Sequence, residues 1–160
     1  MSKKITTESQ PTILKIQSLI GIRQVREDLP IFYKALNSQS TGNYVQTLIG
    51  SSAFEIFEVL FLDVKLNVIA QAHWDGDIDS SAYFTRTIMQ HALLCNAKSI
   101  IIAHNHPSGE LMPSSNDLVA THRISQACEL LEMSLIDSFI VTDNDCLSLR
   151  EDGQSDLFVD

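Results

Sequence analysis

The run Ser99-Ile-Ile-Ile-Ala103 passes without a spacer into the polar stretch His104-Asn-His-Pro-Ser-Gly109, and this junction constrains the chain most. Three successive isoleucines in a short apolar run read as a β-strand buried on both faces, because alternation would put apolar side chains on either side of the sheet. Such a strand needs structure packed above and below it. The abrupt change to histidine, asparagine and serine at its end places polar groups where a buried strand opens into a loop, and function is expected there.

The segments around this strand supply the cover. Ser81 to Ala97 carries Phe84, Ile88, Ala92 and Cys95 near helical spacing, and a further helix is expected from about Ser115 to Met133. Phe54 to Leu62 is rich in β-branched and aromatic residues. Asp63-Val-Lys-Leu-Asn67 resembles a hairpin connection into a second strand at Val68 to Ala72, before WDGDIDS breaks the pattern. Ser138 to Thr142 and Cys146 to Leu149 read as a final hairpin across Asp143-Asn-Asp145. Hairpin and crossover connections both occur, so the fold class is α/β (α+β), a mixed β-sheet flanked by helices. Toward the N-terminus, Ile13 to Ile20 and Val25 to Leu36 are helix-like, and the polar stretch Asn37 to Asn43 separates them from the rest. The expected organisation is a short N-terminal helical extension over 1–40 and one main domain over 41–160.

Composition narrows the function. With 160 residues and 44% hydrophobic content the chain can bury one sizeable core. Eleven Lys and Arg against twenty Asp and Glu give a net charge of −9, opposite in sign to the footprint of a duplex-binding surface, which argues against direct nucleic-acid binding. Cys95, Cys128 and Cys146 are odd in number and lack CxxC spacing, so neither a disulfide framework nor a cysteine-rich zinc site is expected. No apolar run approaches the roughly 18 residues of a spanning helix, and MSKKITTESQ lacks the apolar stretch of a signal peptide. The expectation is a cytoplasmic protein with no membrane association.

His104 and His106 are two residues apart, so their imidazoles share one side if strand geometry persists. Asp117, at the start of the expected helix, can return as a third ligand. Two imidazoles and one carboxylate suit Zn²⁺, and three protein ligands leave a fourth position open, the mark of a catalytic rather than a structural site. Ser114-Ser-Asn-Asp117 also fits a helix-capping box, which would by itself explain both residues. The two roles are compatible, since a capped helix start is a rigid base for a ligand. A metal-activated water further needs a base, and Glu55, Glu58 and Asp63 are candidates. Parity puts Glu55 and Asp63 on one strand face if no bulge intervenes, with Glu58 on the other.

The stretch His104-Asn-His-Pro-Ser-Gly-Glu-Leu-Met-Pro-Ser-Ser-Asn-Asp117 resembles the HxHPxxxxxPSxxD signature of the JAMM (JAB/MPN) metalloproteases, in the HNHPSG form of RadC-like proteins. The resemblance extends over about residues 45 to 153. It implies a JAB/MPN-like (cytidine deaminase-like) domain holding one Zn²⁺ per chain, with His104, His106 and Asp117 as ligands. It also implies Glu55 as general base on a strand and Ser114 as hydrogen-bond donor to the developing oxyanion. Two departures stand out. Residues 1–40 are too short for the helix-hairpin-helix region of longer RadC proteins and lack its glycine pattern. Asp137-Ser138 replaces the family's Asp-His. The function so implied is a zinc-dependent hydrolase of peptide or isopeptide bonds acting on a peptide or protein-conjugate substrate. The competing expectation is a non-catalytic RadC-like scaffold or DNA-repair-associated binding module.

Overall fold

The structure, a computed structural model, describes residues 23–24, 33–76 and 82–159. The expected helix over Ile13 to Ile20 lies outside the described residues, as does most of Val25 to Leu36. The elements in chain order are β1 (Arg23–Gln24), α1 (Ser38–Ile49), β2 (Ile56–Leu62), β3 (Val68–Asp75), α2 (Ala82–Leu94), β4 (Ser99–Asn105), α3 (Ser115–Leu130), β5 (Ser134–Val141) and β6 (Cys146–Ser148), followed by a 3₁₀ turn at Ser155–Leu157. The six strands form one sheet in the order β1-β3-β2-β4-β5-β6.

β4 sits inside this sheet, antiparallel to β2 and parallel to β5, and every one of its residues is buried. The parallel pairing requires a crossover, which α3 provides. Hairpins join β2 to β3 and β5 to β6, so the sheet is mixed, as both kinds of connection imply. Period-two alternation then sorts the strands' side chains into two cores. Phe57, Val59, Phe61, Ile100 and Ile102 pack with Ile88 and Ala92 of α2 and with Ala120 and Ile124 of α3. Leu60, Leu62, Ile101 and Ala103 pack on the other side with Val45 and Ile49 of α1. Each fully buried Val, Leu, Ile or Phe side chain among these contributes about 1.5–3 kcal/mol of transfer free energy.

Three sequence expectations are corrected. Asn37 to Asn43 is no separator: Asn37 caps α1, its side chain accepting the Ser40 N–H at 2.8 Å, so a polar opening conceals a helix start. Residue 40, where the sequence reading sets the domain edge, therefore lies within α1. Tyr33 to Leu36 is not helical; Lys34 bridges Asn67, and Ala35 N–H donates to Leu66 O, which lays this stretch against the β2–β3 hairpin. The third concerns β2, which begins at Ile56. Glu55 stands just before the strand, not within it.

α1 approaches the sheet closely because of one small residue. A Cβ at Gly42 would lie 2.5 Å from Cys146 Sγ, so a larger residue would force either the Cys146 thiol or α1 itself to give way.

Candidate metal centre

The candidate site forms where β4 ends. His104 faces Phe57 across the antiparallel ladder with β2, on the side of the sheet covered by α2 and α3. After Asn105 the backbone leaves β2 but keeps its course beside β5, since His106 N–H donates to Val141 O at 2.8 Å. Strand alternation thus continues one residue past the strand, and the two imidazoles meet on one side with their Nε2 atoms 2.8 Å apart.

The Pro107-Ser-Gly turn orients the second ring. Gly109 N–H donates to His106 O at 3.0 Å, and Gly109 adopts φ 83°, a left-handed conformation that favours glycine. The chain reverses and brings Glu110 O to 2.7 Å from His106 Nδ1. A carbonyl can only accept, so Nδ1 carries the proton and Nε2 keeps its lone pair for a ligand. A metal-binding histidine needs that arrangement.

Asp117 arrives from the first turn of α3. The capping box expected from the sequence is present, with Ser114 Oγ accepting the Asp117 N–H at 3.2 Å and Asp117 Oδ2 accepting the Ser114 N–H at 2.6 Å. The box divides the carboxylate. Oδ2 is engaged by the cap, while the buried Oδ1 has no donor aligned on it and lies 3.2 Å from His104 Nε2. Burial works to raise the Asp117 pKa, but the imidazole of His104 and the bonds from Ser114 outweigh it and hold the group at about 2. The carboxylate is therefore ionised throughout the physiological range.

Ligating atoms of His104, His106 and Asp117 all lie within 4.8 Å of one another. The donor set is two imidazole nitrogens and an ionised carboxylate with an unclaimed buried oxygen, so this triad can hold a metal ion. A cleft of about 760 Å³ opens beside it, bounded by Gly50 to Ala53, by His106 and the turn that follows, and by Thr142 to Asp145 of the last hairpin.

The other expected site residues stand as follows. Glu55 continues the alternation of Phe57, Val59 and Phe61, which puts it on the face of His104, outside the three-residue cluster. Glu58 is buried on the opposite face, near Tyr44 of α1. Asp63 is spent on the hairpin, where its carboxylate accepts from Lys65 N, Asn67 N and Asn67 Nδ2, and it lies beyond the register shift at Phe61/Leu62. Ser114 is exposed; its oxygen accepts within the cap, and its hydroxyl proton is left for another acceptor. Ser138 shares a buried contact of 3.1 Å with Thr121 Oγ1, one helical turn beyond Asp117.

Sequence reasoning missed Asn105. Its side chain, wholly buried on the face opposite the two histidines, accepts from Ile56 N at 2.6 Å and donates to Phe54 O at 3.0 Å and Ser52 O at 3.3 Å. A carboxamide between the two histidines at the end of a buried strand was the available signal, since such a group must find partners.

The profile of the RadC-like JAB domain matches residues 35–154. A UPF0758 protein of Janthinobacterium sp. (strain Marseille) is 37% identical over 132 residues, 82% of this chain and 59% of the relative. Another, from Photobacterium profundum, is 37% identical over 142 residues, covering 87% and 63%. A third, from Acidithiobacillus ferrooxidans (strain ATCC 53993 / BNL-5-31), is 41% identical over 111 residues, covering 69% and 50%. The chain thus spans about half to three-fifths of the length of these relatives, and the name UPF0758 states no activity. With the profile matching three-quarters of its residues and its His-His-Asp triad assembled on a mixed sheet, this chain belongs to the RadC-like proteins of the JAB/MPN family.

Proposed function

We propose that this chain is a zinc-dependent hydrolase of amide bonds, a peptidase or isopeptidase acting on a peptide or protein-conjugate substrate. The single observation that carries the reading is the division of Asp117, one oxygen locked into the α3 cap and the other presented with two imidazoles at the edge of an open cleft. A helix cap alone requires neither histidine. A closed structural site is ordinarily completed by a fourth protein ligand, and none joins the three among the described residues.

In this reading His104, His106 and Asp117 hold the ion, which when bound supplies Lewis acidity and an activated water. Glu55 takes the proton released at the site and returns it to the leaving amine. Ser114 donates its free hydroxyl proton to the carbonyl oxygen as charge develops there. The turn at Pro107 to Glu110 holds the His106 tautomer, and the cleft beside His106 receives the chain of the substrate. The fixed, ionised Asp117 spares the site any reorganisation of its ligands.

The test is to load the purified chain with zinc and assay a panel of linear peptides and Lys-linked isopeptides, with Glu55→Gln and His106→Ala as controls. Cleavage lost in both variants supports the reading. A zinc-loaded chain that cleaves nothing would return the molecule to the scaffold or DNA-repair-associated class, for which a salt-dependent affinity for nucleic acid would then be sought.

A further inference from the structure

We infer that Asn105 is a positioning residue: its side chain sets the place of Glu55 relative to the metal ligands. The inference rests on the reading of Glu55 as base.

β2 and β4 pair regularly from Leu62↔Ser99 to Phe57↔His104, and the next residues of β2's path have no backbone partner in β4. The chain turns aside at Asn105 because His106 must stay beside β5, its N–H committed to Val141 O. Residue 55 is thereby left at the point where the ladder opens. Asn105 closes the gap with its side chain. Its Oδ1 accepts from Ile56 N and its Nδ2 donates to Phe54 O, the amide just after and the carbonyl just before Glu55. The carboxamide reproduces the donor and acceptor that a further strand residue would have offered. On the other side of the segment Glu55 O accepts from Gly76 N–H at 2.8 Å, so the backbone of Glu55 is held from both sides.

The placement links the two halves of the site. Asn105 lies between the two histidine ligands in sequence, and alternation sends its side chain away from them, toward the segment that carries the base. Any shift of the ligands thus moves Glu55 with them. The third contact, Nδ2 to Ser52 O, ties in the wall of the cleft at Gly50 to Ala53. The pattern needs one acceptor and two donors in a planar group. Aspartate has the shape without the donors, and serine is too short to reach both sides.

The experiment uses the full chain in five forms: wild type, Asn105→Asp, Asn105→Ser, Glu55→Gln and the double variant of Asn105→Ser with Glu55→Gln. Asn105→Ser adds no charge and serves where Asn105→Asp does not fold. All five are expected to bind one metal ion, because no ligand is touched. The readout that needs no substrate is the visible absorption of the Co²⁺-loaded chain, whose ligand-field bands respond to a carboxylate held beside the ion. Glu55→Gln is expected to change these bands and the Asn105 variants to change them the same way, with faster exchange of the Ile56 amide in the Asn105 variants alone. On a peptide that wild type cleaves, the Asn105 variants are expected to lose about 10–100-fold in kcat, with KM within about twofold. Combining Asn105→Ser with Glu55→Gln should cost no more than Glu55→Gln alone. Cobalt bands that stay at wild type in the Asn105 variants while Glu55→Gln moves them would overturn the inference. Bands unmoved by Glu55→Gln, or an additive loss in the double variant, would overturn it too. A wild type that cleaves no peptide bears on the hydrolase reading alone, since the cobalt bands still decide for Asn105.

Discussion

The two halves of β4 obey different rules. From Ile100 to Ala103 the strand is hydrocarbon on both faces and is held by cores that any well-fitting apolar residue can fill. From His104 to His106 the path is the same, yet each side chain is tied to a named partner: His104 to Asp117, Asn105 to the segment before β2, His106 to Glu110. The first half tolerates exchange among apolar residues of like volume, whereas the second depends on particular polar groups. Burial alone does not mark the difference, because His104 and Asn105 are as buried as the isoleucines.

Substitutions in the two halves should therefore fail in different ways. The largest effect is expected at Glu55, the proposed base. Glu55→Gln should lower peptide cleavage about 10²–10⁴-fold while leaving thermal stability near wild type, measured by initial rates and thermal melts of the same samples. Ile102→Ala should do the reverse. Loss of a fully buried side chain costs about 2–5 kcal/mol in denaturant unfolding, and the metal-binding capacity of the folded fraction should stay intact. Ser114→Ala should join both behaviours, with about 1 kcal/mol lost from the α3 cap and a fall in kcat at nearly unchanged KM.

The smallest effect lies in the apolar region, at His91 on α2. Its ring is buried and stacks on Trp74 at 5.6 Å, and burial holds its pKa below the ordinary histidine value. The unfolded chain takes up a proton near pH 6.5 that the native chain refuses. The sign follows: this contribution to stability is full above that pH and is lost as pH falls through it toward the lower folded value. His91→Phe keeps an aromatic ring and should flatten the decline in melting temperature between about pH 7 and 5. An unchanged slope would show that the imidazole does not titrate with unfolding.

The same contrast explains what could be read from the sequence. The buried strand, the helix α3 with its cap and both hairpins were legible because each depends on local pattern, an isoleucine run, a Ser-x-x-Asp spacing or a turn between alternating residues. The His104, His106 and Asp117 constellation was legible because its members are close in sequence or at a helix start. The start of helix α1 was not, since the polar run from Asn37 to Asn43 reads as a connection although Asn37 caps the helix. Which strand face lies on the side of His104 needed the register of β2 against β4, which pairing fixes and no single strand states. Asn105 was hidden for the same reason, as its partners lie some fifty residues away.

Metal content by elemental analysis, on the wild type, His104→Ala, His106→Ala, Asp117→Ala and Glu55→Gln, tests the central claim most directly. About one zinc per chain is expected in the wild type and in Glu55→Gln, and none in the three ligand variants. A wild-type chain free of metal after zinc-replete purification, or ligand variants that keep their zinc, would contradict it.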